Sequence, residues 1–344
     1  MSQTDIGSDE APHPRATIRL FGHDDAERVV IDSYKSGRIP HAWLIGGAPG
    51  IGKATLAYRI ARFVLANPDP AAAGVQDAKS LAVADDAPAA RRIAQEAHPD
   101  LLVLERTLND KGKLRQNIAI DDVKRSVSFF GSTAGEGGWR IAIVDSVDEL
   151  QNDGANALLK IIEEPPPRCL LLLVSHAPGR VLPTIRSRCR MLMLRAPSEI
   201  DVARAVAGAL GRSPTEPAIR DAAAAAGGSV ARAIDLLDED TLALRTKVVT
   251  ALDQLPNTDP RTLHALGDAI GGSEPQTLAT FADIVNGWLA ARLGEGAQDT
   301  PRLARFADAW DKINGAVRDV DAYNLDRRPL VFSVFGLLAE ASRG

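Results

Sequence analysis

The stretch GGAPGIGKAT, Gly46 to Thr55, stands between an apolar run, AWLIGG (42–47), and a helix-forming run, KATLAYRIARFVLA (53–66). Gly47, Gly52 and Lys53 fit the phosphate-loop spacing G-x-x-x-x-G-K-[ST], with Gly50 a further glycine inside it; in such loops backbone N–H groups and the following helix N-terminus cradle phosphates. A strand before the loop and a helix after it are the context this spacing requires. The eighth position, however, is Ala54. The hydroxyl found there in a working loop coordinates Mg²⁺, and alanine has none. Thr55 offers a hydroxyl one residue later, about 100° further round the helix.

Outward from the loop, DLLVLER (100–106), WRIAIVD (139–145), CLLLLVS (169–175) and MLMLRA (191–196) are near-continuous apolar runs. Such runs suit parallel strands buried on both faces. Helical patterns lie between them, in KATLAYRIARFVLA, DDVKRSVSFF and GANALLKIIEE. The fold class is therefore α/β: an αβα phosphate-loop domain with a parallel sheet over residues 17–196, after a disordered 1–16. Residues 67–98, rich in Ala, Asp and Pro, read as a surface insertion with a small share in the core. Beyond Pro197 the strand signals stop, and helices broken at GRSPTEP, GGS, LPNTDP, GGSEP and GEGAQDTP follow. They divide into a small helical lid, 197–242, and an all-helical C-terminal domain, 243–344.

The second acidic element, RIAIVDSVDEL, ends a strand at Asp145, from which a carboxylate can hold a metal through water. The next residue, where many phosphate-loop ATPases have a water-orienting glutamate, is Ser146. A serine hydroxyl is no general base near neutral pH without an activating partner. Asp148 and Glu149 are the replacements available, although their spacing suits the start of the next turn. The missing metal hydroxyl and the missing carboxylate both point to a site that has lost hydrolysis.

Apolar residues make up 45% and charged residues 25% of 344, the mixture of an ordinary globular protein of more than one domain. No run approaches the about eighteen uninterrupted apolar residues of a membrane span. The opening MSQTDIGSDEAPHPRA lacks the basic start and apolar core of an export signal, so a cytoplasmic protein is expected. Two cysteines, Cys169 and Cys189, exclude a disulfide framework and a four-cysteine zinc site. The net charge of −5 argues against an autonomous nucleic-acid binder.

NALLKIIEEPP (156–166), followed by LLLVSHAPGRVLPTIRSRCR (171–190), resembles the clamp-loader branch of the AAA+ family. In that branch N-A-L-L-K-x-x-E-E-P-P precedes the fourth core strand and a Ser-Arg-Cys motif follows it, here Ser187-Arg188-Cys189. With GRIPHAWLIGGAPGIGKATLA and HPDLLVLER the resemblance covers residues 17 to 240. It implies an AAA+ domain, a lid, and a C-terminal collar domain packed into a hetero-pentameric ring with tau/gamma and delta subunits. Such a ring loads the sliding clamp (beta) onto primed DNA for DNA polymerase III. It further implies that Arg188 reaches the γ-phosphate held by a neighbouring subunit. Ser175 matches the polar sensor position at the end of the fourth strand. Arg232, in GGSVARAIDLL, stands one residue later than the lid arginine of a G-S-x-R pattern. Relatives often carry a four-cysteine zinc module where this chain has residues 67–98, which contain no cysteine, so no metal is expected.

Within the branch the degenerate loop and the Asp145-Ser146 pair match a subunit that does not hydrolyse ATP, needs no cofactor and binds ATP weakly if at all. The candidate nucleotide site is Gly47, Gly50, Gly52, Lys53, Thr55, Asp145, Ser175 and Arg232. An ATP-hydrolysing motor subunit is the alternative, against which Ala54 and Ser146 count. A small-molecule phosphate-loop kinase has no place for the helical tail or the Ser-Arg-Cys motif.

Overall fold

The computed structural model describes residues 12–107, 115, 117–131, 138–271, 275–295, 300–323 and 325–343. The chain divides into two compact units, Met1–Ile234 and Asp235–Gly344. In the first, five described strands form one parallel sheet: β1 (Ala42–Gly46), β2 (Leu101–Glu105), β3 (Arg140–Asp145), β4 (Cys169–Ser175) and β5 (Arg190–Met193), in the order β2-β3-β4-β1-β5. All of β1 and β4 and the four central residues of β3 are buried, which is why each reads as an unbroken apolar run. The edge strands β2 and β5 are more open.

Alternate residues of each strand supply opposite layers, as the two-residue strand period demands. Trp43, Ile45, Ile143, Leu172 and Val174 pack against α1 (Asp24–Lys35) and α2 (Lys53–Ala66). On the other face, Leu44, Val144, Leu171 and Leu173 pack with Val123, Leu158 and Ile162. These last come from α5 (Ile120–Gly131) and α6 (Asn152–Glu163). The result is the three-layer αβα domain that the sequence implies. α7 (Pro183–Arg186) follows β4, and α8 (Glu199–Leu210), α9 (Pro217–Ala225) and α10 (Val230–Asp235) follow β5. Ser198 caps α8 by accepting the Asp201 N–H, and Gly211, at φ 65°, ends it.

The stretch 67–98 departs from expectation. It forms two short helices, α3 (Ala73–Asp77) and α4 (Pro88–Ala94), and sends Val75, Leu81 and Ile93, each at most 2% exposed, into the core beside α1 and α2. The Ala- and Asp-rich composition hid three well-spaced apolar anchors. Lys35 Nζ donates to the Ala78 carbonyl at 2.5 Å, and the Leu81 N–H donates to Glu27 at 3.2 Å. The N-terminal segment, expected to be disordered through residue 16, forms a turn from Pro12 onward; the Ala16 N–H donates to the His13 carbonyl at 2.8 Å. Arg62 of α2 holds this turn through the carbonyls of Thr17, Pro14 and Arg15. Residues 1–11 lie outside the described residues.

The described secondary-structure elements of the second unit are helices joined by turns: α11 (Glu239–Asp253), α12 (Pro260–Ile270), α13 (Pro275–Glu295), α14 (Thr300–Tyr323) and α15 (Arg328–Arg343). Val248, Phe281, Val285, Leu289, Phe306, Val334 and Phe335 form its core. Asn286 and Asn314 exchange side-chain hydrogen bonds at 3.1 and 3.2 Å across α13 and α14, which fixes the register of that pair.

Truncating an anchor of the 67–98 stretch tests its role. Leu81→Ala or Ile93→Ala should cost about 2–4 kcal/mol in denaturant unfolding, the range for a buried large-to-small change. A cost near zero would return the stretch to the surface.

Candidate nucleotide site

The C-terminal ends of β1, β3 and β4 share one level, since Gly46 pairs with Ser175 and Asp145 with Val174. A cavity of about 630 Å³ opens there, lined by Gly50, Gly52, Lys53, Ala54, Thr55, Asp145 and His176. Leu20 and Phe21 of the N-terminal segment and Val230 and Ala231 of α10 complete its apolar side. Ligand sites of open parallel sheets fall at this edge.

The loop owes its shape to close approach from the start of α10. Gly50 has φ +73°, and a Cβ on it would stand 2.1 Å from Ser229 Oγ. The Val230 N–H donates to the Gly50 carbonyl at 2.9 Å, so α10 is bonded to the loop itself. Gly52, at φ 98°, turns the chain into α2 in a left-handed conformation that a side chain would strain. His23, 5% exposed, bonds the Ile51 carbonyl at 2.7 Å from the other side.

Lys53 is 2% exposed, and its Nζ donates to the Ala48 carbonyl of its own loop at 2.6 Å. Burial lowers its pKa to about 8, against the upward pull of the Asp145 and Asp148 carboxylates. Asp145 is shifted the other way, upward, by burial and then by the neighbouring Glu105 carboxylate, with Lys53 opposing. The site thus offers a buried lysine, with Arg19 also in the lining, and an apolar wall. Where a metal-binding hydroxyl belongs, it presents the methyl group of Ala54, and Thr55 lines the cavity one residue on.

The remaining candidates sit elsewhere. Gly47 is absent from the lining; a Cβ there would stand 2.9 Å from the Leu194 carbonyl oxygen, so it serves packing against the chain beyond β5. Ser175 is fully buried, and its hydroxyl donates to Asp148 Oδ1 at 2.6 Å. Arg232 does not line the cavity, because the one-residue offset of its pattern brings Ala231 there instead. Arg188 also stands away from the cavity, just beyond α7. Its Nη2 lies 3.0 Å from Glu163 Oε1, its Nη1 donates to the Thr184 carbonyl at 3.1 Å, and its side chain is 42% exposed. Burial pushes the thiols of Cys169 and Cys189 up to about 12 and about 11, which leaves them unreactive.

Asp148 has a larger part than the sequence indicates. The sequence offers it as a replacement for the water-orienting carboxylate or, by its spacing, as part of the start of the next turn, and the turn is what the structure shows. It lies on the 3-10 turn Val147–Glu149 and accepts from Ser146, Ser175, His176 and Ala177. With three donors on Oδ2 and one on Oδ1, this carboxylate is engaged in joining chain segments. The signal, an acid three residues past a strand end, is too common to carry that meaning by itself.

A family profile described as "DNA polymerase III, delta subunit" matches residues 22–198. The chain is 35% identical over 215 residues to a DNA polymerase III subunit delta' from Pseudomonas aeruginosa, covering 62% of this chain and 61% of that protein. It is 32% identical over 175 residues to the subunit of the same name from Escherichia coli, covering 51% and 48%. The matched part thus spans about half to three-fifths of those relatives. Among solved structures, a DNA polymerase III gamma subunit-related protein from Thermotoga maritima aligns over 91% of this chain and 100% of its own, at 14% identity and a TM-score of 0.43.

The depressed Lys53 pKa has a stability consequence. Between pH 8 and 10.5 the unfolded chain holds a proton on Lys53 that the folded chain has released, so the stability of the wild type relative to Lys53→Met should rise through that window. The rise should approach about 3 kcal/mol in paired denaturation curves, since each pH step across the window adds roughly 1.4 kcal/mol. Other groups titrating there cancel in the comparison, and a flat difference would show that Lys53 is not desolvated.

Proposed function

Given that the chain belongs to the DNA polymerase III delta subunit family, we propose that it is a delta-prime-type subunit of the replicative clamp loader. In this reading it does not hydrolyse ATP itself but completes the ATP site of a neighbouring tau/gamma-type subunit with Arg188. It works in a cytoplasmic hetero-pentameric ring that also contains a delta subunit, and helps open the sliding clamp and place it on primed DNA. The lid at 197–242 and a collar domain at 243–344 belong to the same reading, with any ATP binding at Gly50, Gly52 and Lys53 weak.

The observation that carries the proposal is the place of Arg188. Its guanidinium stands at the protein surface, outside the chain's own cavity, bonded to Glu163 and Thr184. From there it faces outward, where a phosphate held by a neighbouring chain can meet it. The chain's own loop, by contrast, offers Ala54 and Ser146 where metal and water chemistry need other groups. Arginine suits the assignment because its planar fork stays charged and takes a phosphate with two parallel bonds, which lysine cannot.

The test is ATP hydrolysis by the purified chain alone and in a complex reconstituted with its tau/gamma-type and delta-type partners, clamp and primed DNA. Alone, the chain should match a Lys53→Ala control. In the complex, Arg188→Ala should remove the turnover of the site it serves, a loss of about 10³- to 10⁵-fold at that site. Arg188→Lys should recover little of it. Full turnover in a correctly assembled Arg188→Ala complex would make the arginine structural.

A further inference from the structure

Two hydroxyls and two backbone amides at the C-terminal edge of the sheet end on one carboxylate. Ser175 Oγ donates to Asp148 Oδ1 at 2.6 Å. Ser146 Oγ at 3.1 Å, the Ala177 N–H at 3.2 Å and the His176 N–H donate to Oδ2. Hydrogen bonds to an ionised acceptor are the strong kind, and four of them nearly fill a carboxylate's lone-pair sites. Asp148 thus ties the end of β3 to the end of β4. It also absorbs the hydroxyl protons of Ser146 and Ser175, so neither is left for a ligand.

The tie leads to Arg188. Beyond Ala177 the chain makes a 3-10 turn, Pro178–Arg180, closed by the Arg180 N–H on the Ala177 carbonyl at 2.8 Å. Arg186 of α7 reaches back to the Pro178 carbonyl at 3.4 Å. Val181 and Ile185, on the way, are buried in the same apolar cluster as Val147, the residue beside Asp148. The Arg188 N–H then closes on the Ile185 carbonyl at 3.1 Å.

We infer that Asp148 is a positioning residue for Arg188: as an internal anion it fixes the 175–180 turn, and through it α7, so that the guanidinium keeps its place with no ligand in the chain's own loop. This rests on the reading that Arg188 serves a neighbour's phosphate. A chain whose own nucleotide chemistry is lost needs some other anion to gather these donors, and Asp148 is that anion.

The experiment uses the full chain in the reconstituted complex and compares wild type, Asp148→Asn, Asp148→Ala and Arg188→Ala by steady-state ATP hydrolysis. Asp148→Asn keeps the shape but replaces two acceptor-rich oxygens with one. It should remove about half or more of the turnover that Arg188→Ala removes, through kcat with KM for ATP little changed, because small misplacements of a catalytic group are costly. Asp148→Ala should remove nearly all of it. Sodium acetate, compared with chloride at equal ionic strength, should restore part of the Asp148→Ala loss, while gel filtration shows the ring intact for every variant. Wild-type kcat in Asp148→Asn and Asp148→Ala alongside a loss in Arg188→Ala would overturn the positioning role and leave the function of Arg188 standing. Losses in the Asp148 variants that come with failed assembly, or that acetate does not touch, would make Asp148 merely structural and overturn the inference. Unchanged turnover in Arg188→Ala would instead remove the reading on which it rests.

Discussion

A buried ion pair, Glu27 with Arg59, holds four separate pieces of the first unit in one place. Arg59 Nε and Nη2 donate to the two Glu27 oxygens at 2.6 and 3.2 Å, and both residues are under 10% exposed. Desolvating two charges costs several kcal/mol each, so such a pair persists only if the remaining donors and lone pairs are also matched. Here they are: the Leu81 N–H donates to Glu27, and Arg59 Nη1 donates to the Ile18 carbonyl. Helices α1 and α2, the 67–98 stretch and the N-terminal segment are thereby joined. Once Ile18 is fixed, Leu20 and Phe21 follow as one wall of the cavity, with Leu20 against Gly52 of the loop. The shape of the candidate nucleotide site is therefore set in part by charges that never touch it.

That dependence means that the shape of the phosphate loop does not rest on a bound nucleotide. Gly50 and Gly52 are favoured by their left-handed backbone, φ +73° and +98°, whether or not a nucleotide arrives. Lys53 is required by the Ala48 carbonyl that its ammonium caps.

The central strands were legible because strands buried on both faces are apolar at nearly every residue, as CLLLLVS is up to Ser175. The loop was legible because its spacing is a backbone requirement rather than a preference. The 67–98 stretch was not, since its core anchors Val75, Leu81 and Ile93 are isolated among Ala, Asp and Pro, and its polar ties reach Glu27 and Lys35, more than 40 residues earlier. Asp148 escaped for the same reason: three of its four donors, Ser175, His176 and Ala177, lie 27 to 29 residues downstream, and only strand pairing brings them near. Arg232 shows the limit of motif spacing, because a shift of one residue on a helix turns a side chain by about 100° and here leaves Ala231 facing the cavity.

The role of Arg188 is tested most directly by a structure of the chain assembled with its tau/gamma-type partner and a non-hydrolysable ATP analogue. The Arg188 guanidinium should be off Glu163 and in hydrogen-bond contact with the γ-phosphate held by the partner, with Asp148 still gathering its four donors. Arg188 remaining on Glu163, far from any phosphate, while a well-ordered nucleotide and metal fill this chain's own loop, would contradict that role.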